Sequence, residues 1–157
     1  MQALQKGVQM KRIISIFIIL CSILCLTSCD SNTVIKDGTY RAEFDTYDES
    51  GYKDFVEITF KDGNVTEVTM DAVSETDGTL KSESDEYRES MENIAGTYPA
   101  KYYQDLINQY IGYGDSSGIL IVAGATSTSN NIICLLTALE TAMKNGNYTD
   151  AVIVPRN

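Results

Sequence analysis

The run Ala123-Gly124-Ala125-Thr126-Ser127-Thr128-Ser129 places small residues directly before four consecutive hydroxyl side chains. An apolar stripe at helical spacing follows it, made of Ile132, Leu135, Leu136, Leu139 and Met143. A helix start offers unpaired N–H groups and partial positive charge, which together suit a phosphate. Glycine and alanine let a ligand come close to the backbone. Two readings fit these residues: a phosphate cradle, or an ordinary N-cap by Ser129 or Thr128 with Gly124 and Ala125 as a tight connection. Much other chemistry is excluded. The chain has no histidine, which removes Ser-His and Cys-His catalysis and the usual zinc sites. Asp45, Asp48 and Glu49 could supply oxygen ligands, but their spacing is not that of an EF-hand loop, and a solvated face is the simpler reading. Cys134 falls beside the apolar stripe of the last helix and reads as an inert buried thiol.

The elements that must hold this loop can be read from periodicity. Tyr40, Ala42 and Phe44 alternate along a first strand over residues 38–44, and Val56, Ile58 and Phe60 along a second over 55–60. The Asp62-Gly63 pair predicts a tight hairpin turn into a third strand over 65–72, with Val68, Met70 and Ala72 on one face. Ser82 with Asp85 predicts a capping box, followed by a helix carrying Tyr87, Met91 and Ile94 and ending at Gly96. Pro99 starts a further helix whose stripe is Tyr103, Leu106, Ile107 and Tyr110. Residues 119–122 read as a short buried strand, and 151–154 as a last one. Asn145-Gly146 stops the final helix. The expected class is α+β: an N-terminal antiparallel sheet, then helices, with the Gly-Ala-Thr loop leading into the main C-terminal helix.

The first 28 residues carry three basic side chains, Lys6, Lys11 and Arg12, and no acidic one, and residues 13–26 are almost wholly apolar. That is the layout of a signal peptide, too short for a comfortable membrane span. Leu26-Thr27-Ser28-Cys29 at its end resembles the bacterial lipobox. This predicts a signal peptide over 1–28, lipid on Cys29, a tether over 29–36 and one domain over 37–157. More than one acyl chain on Cys29 would hold the domain stably at the outer face of the membrane. Beyond residue 28 there are nine basic and 22 acidic side chains, a net charge of −13. That argues against nucleic acid as a partner. Cys134 is then the last remaining thiol, so no internal disulfide is expected.

Five pieces occur in order: Asp37-Gly38-Thr39-Tyr40, the hairpin run from Phe55 to Gly63, Ser74-Glu75-Thr76-Asp77-Gly78, Thr97-Tyr98-Pro99-Ala100, and the Gly124 to Ser129 loop. Together, over residues 37–144, they resemble the FMN-binding domain of bacterial electron-transfer proteins and lipoproteins. The resemblance implies an electron carrier with no substrate of its own. It implies FMN held at Gly124, Ala125, Thr126, Ser127, Thr128 and Ser129, with Glu75 and Thr76 in a loop near the ligand. A flavin transferase would join the phosphate to Thr126 as an ester, and redox proteins would be the partners. Leu120 stands where the family pattern has Asp, and Ala123 where it has Ser or Thr. Covalent FMN, non-covalent FMN and a flavin-free interaction lipoprotein of the same fold all remain open on the residues alone. Cys29→Ala is expected to abolish acylation and leave the precursor uncleaved. Labelling with a radioactive or clickable fatty acid checks this; a labelled variant would rule out Cys29 as the lipid site.

Overall fold

The computed structural model describes residues 35–146 and 151–156, so the signal peptide expected over 1–28, Cys29 and most of the tether lie outside the described residues. Three strands come first: β1 (Gly38–Phe44), β2 (Tyr52–Lys61) and β3 (Asn64–Ser74). Three helices follow: α1 (Asp85–Ala95), α2 (Pro99–Tyr113) and α3 (Thr126–Lys144). A short strand, β4 (Val152–Val154), comes last. The sheet order is β3-β2-β1-β4. The first three strands are antiparallel, and β4 joins β1 in parallel. The class is α+β, with the main helix at the C-terminal end.

Local sequence accounts for the hairpin. Asp62 (φ 53) and Gly63 (φ 74) both lie in the left-handed region, which a two-residue turn between twisted strands requires. The side chain of Asp37 accepts the Asp62 N–H at 2.8 Å and ties the start of β1 to this turn. Alternation then sorts the faces. Tyr40, Ala42, Phe44, Val56, Ile58, Phe60, Met70 and Ala72 point into the core, where they meet Tyr102, Tyr103 and Leu106 of α2 and Ile132, Leu135, Leu136 and Leu139 of α3. On the other face Arg41 stacks over Phe55 at 4.0 Å and pairs with Glu43 at 2.7 Å and Glu57 at 2.9 Å.

Several expectations change. Residues 119–122 form no strand: only Ile119 is buried, while Leu120 is 67% exposed. Their amides bond side chains instead, Leu120 N–H to Gln109 at 2.7 Å and Val122 N–H to Ser129 at 3.1 Å. The cap of α1 is Ser84, whose hydroxyl accepts the Tyr87 N–H at 3.2 Å. Ser82 is already committed to the buried carboxylate of Asp71 through its hydroxyl and its N–H. Helix α1 buries no residue fully, and Ile94 on its expected apolar face is 88% exposed. Cys134 is exposed, because it falls off the buried stripe of α3. Tyr102 joins Tyr103 in the core, since α2 packs against both the sheet and the turn at Lys81–Glu83.

Leu136 is fully buried between α3 and the sheet. Leu136→Ala is expected to cost about 2–5 kcal/mol, read as a lower urea midpoint with an unchanged slope. A loss well below that range would mean that this part of the core is loosely packed.

Candidate functional site

The hydroxyl-rich loop is built from within. Ser129 is fully buried; its Oγ donates to the Ala125 carbonyl at 2.8 Å and accepts the Val122 N–H. Ala125 N–H closes back on the Val122 carbonyl at 3.0 Å. Neither Ser129 nor Thr128 caps the helix, contrary to the sequence reading. The helix begins three residues earlier than Ser129, at Thr126, and the capping position is Ala125, which has no hydroxyl to offer. Once Ser129 is spent on closing the loop, the first-turn amides are left without a side-chain cap. No acidic residue occupies that first turn either. Its partial positive charge is therefore open to an outside anion.

Thr126 and Ser127 are exposed at this end, and Thr128 is half-buried. Gly124, at φ 80, lies against the end of α1. A Cβ there would come within 2.7 Å of the Ala95 carbonyl and 3.0 Å of the Thr97 methyl. Thr97 is 3% exposed, and its hydroxyl has no hydrogen-bond partner. A buried hydroxyl left unpaired costs about 1–3 kcal/mol. Thr97 is thus the most unusual polar group beside the loop.

Asp54 lies beneath this end of α3. Its carboxylate accepts from Asn131 at 2.9 Å and from Tyr103 at 3.1 Å, with the Arg156 guanidinium 3.4 Å away. Burial raises its pKa, against the lowering by Asn131, by the charges of Lys81 and Arg156, and by Tyr103. Burial likewise raises the pKa of Tyr102, whose phenol interacts with Thr128 and feels the phenol of Tyr87.

Glu75 and Thr76 sit elsewhere, in an exposed turn after β3. Glu75 N–H donates to the Gly51 carbonyl at 2.9 Å. Thr76 lines a cavity of about 410 Å³ with Tyr52, Ser74, Ser84, Glu86 and Tyr87. This turn is held by Gly51 and Ser74, whereas the Gly124–Ser129 loop is held by Val122. Asp48 accepts the N–H groups of Ser50 and Tyr52, both at 2.9 Å, so it shapes its own loop. Among the described residues no group of three or more acidic or thiol side chains could hold a metal. Sequence reasoning missed Asp54, Asn131, Lys81 and the unpaired state of Thr97. Only Asp54 left a signal, as a charged residue inside an otherwise alternating strand.

This arrangement defines a small α+β domain with an open helix start and a polar cavity walled by Tyr52 and Tyr87. No protein-family model matches the chain. It is 32% identical over 127 residues to the 15 kDa lipoprotein of Treponema pallidum (strain Nichols), covering 81% of this chain and 89% of that one. The chain belongs to the family of that lipoprotein, which agrees with the lipobox ending at Cys29. It is also similar to the crystal structure of the CPE2226 protein from Clostridium perfringens, at 31% identity and a TM-score of 0.72, covering 78% of this chain and 99% of that one. Among the described residues no helix is long and apolar enough to cross a membrane.

Gly124→Ala is expected to push the loop away from Ala95 and to strain a positive φ, which costs about 1 kcal/mol or more. Thermal denaturation should show a clear drop. An unchanged melting temperature would show that the loop does not need this close approach.

Proposed function

We propose that this protein is a membrane-anchored, extracytoplasmic lipoprotein that carries electrons on FMN, with Thr126 as the site of attachment. The observation that carries the reading is the exposed Thr126 hydroxyl on the first turn of a 19-residue helix that has no side-chain cap and no first-turn acid. A phosphate ester at Thr126 would place anionic oxygens against the open amides of that turn. The Thr97 methyl lies beside the same loop, where Gly124 leaves no Cβ. These residues fit a phosphate. Bound FMN would supply the redox chemistry, and the protein would hold and tune it. Thr126 would be the tether, and Ser127 and Thr128 offer further donors. The cavity lined by Thr76, Tyr52 and Tyr87 has a size and aromatic wall suited to a flat ring. Transfer of the flavin would come from a separate flavin transferase, and electrons from redox partner proteins of the envelope.

A second reading is an interaction lipoprotein of the same fold without flavin. Leu120, exposed where the family pattern has an acidic residue, and Ala123, which lacks the hydroxyl, favour it.

The test is the full chain, exported by its own signal in cells that also make a flavin transferase, beside Thr126→Ala. The expected result is a band that fluoresces under ultraviolet light after denaturation, with one added FMN mass, and a dark band for the variant. A dark unaltered protein that also fails to bind added FMN would leave the second reading standing.

A further inference from the structure

Lys81 is 5% exposed, yet its ammonium has no hydrogen bond or ion pair among the described residues. It sits against two aromatic faces, 4.3 Å from the centre of the Tyr87 ring and 4.8 Å from that of Tyr52. These rings meet edge to face at 5.6 Å and wall the 410 Å³ cavity. Buried charges are ordinarily paired with an oxygen. Two carboxylates feel this one, Asp48 and Asp54, but both are held by other groups. Asp48 is bonded to Ser50 and Tyr52, and Asp54 to Tyr103, Asn131 and Arg156. A positive charge therefore rests against the two tyrosine rings that line the cavity, and Glu86 is the carboxylate on the lining.

We infer that the cavity takes a planar, electron-accepting ring and that Lys81 is the charge that favours the reduced, negatively charged form of that ring. This rests on the flavin reading above. On reduction the ring gains two electrons and one proton, and one negative charge stays on it. The electrons come from a donor protein in the cell, or from dithionite in an assay. A cation behind the tyrosine rings attracts that extra charge through a low-dielectric wall, where charge interactions are stronger than in water. The rings hold the ammonium without consuming an oxygen acceptor.

The experiment titrates the FMN-loaded full chain with dithionite and compares it with Lys81→Met and Lys81→Arg. Lys81→Met is expected to weaken the reduced form relative to the oxidised form about tenfold, a fall of about 30 mV in a two-electron midpoint. Lys81→Arg should stay close to the unaltered protein. A loaded Lys81→Met with an unchanged midpoint would overturn the inference. A second reading needs no variant: in mildly acid solution, where free reduced flavin is neutral, the unaltered protein should take up one proton per two electrons. An uptake of two, read from the slope of midpoint against pH, would also overturn it. Failure of the unaltered chain to bind any flavin removes the flavin reading and this inference together, whereas binding with the wrong midpoint or slope removes this inference alone.

Discussion

The buried carboxylate of Asp54 is the point at which separate parts of the chain are tied together. It leaves β2 where a core residue would otherwise be, and its two oxygens meet Tyr103 of α2, Asn131 of α3 and Arg156 near the C-terminus. Taking a carboxylate out of water is costly, and burial does raise its pKa. Each donor offsets part of that cost, and removal of a partner from a buried charge costs about 3–5 kcal/mol. Arg156 also lies 4.1 Å over the ring of Phe44, so the same side chain helps to bring β4 onto the edge of β1. The start of α3 is thereby placed over the sheet by a polar tie, with the apolar stripe of the helix filling the space behind it.

The two longer-range consequences are opposite kinds of helix start. Helix α1 begins with a serine cap and two acidic residues, so its positive end is already answered. Helix α3 begins with an alanine at the cap and no acid, because its serine is turned inward to close the loop. One end is finished and the other is open. The proposed phosphate site lies at the start of α3, and the tyrosine-walled cavity is lined by the start of β2, the end of β3 and the first turns of α1.

Outside the core, the domain carries a large excess of acidic side chains. A domain of that charge is repelled by anionic headgroups, so a membrane attachment would have to come from a lipid anchor rather than from the protein surface. Family membership with a lipoprotein of similar length points the same way.

What the sequence determined by itself is whatever depends on near neighbours. Strand alternation, the paired positive-φ residues at Asp62 and Gly63, Pro99 at a helix start and the apolar stripe of α3 are all properties of a few adjacent residues, and each was legible. What tertiary structure decided is where local signals compete. Ser82 had the spacing of a cap, but Asp71 from a neighbouring strand took its hydroxyl. Residues 119–122 had the composition of a strand, but side chains of Gln109 and Ser129 took their amides. Ser129 looked like a cap, and burial turned it into the clasp of the loop. The pairing of Lys81 with two tyrosines and the orphaned hydroxyl of Thr97 depend on contacts between residues distant along the chain, and no local periodicity encodes such contacts.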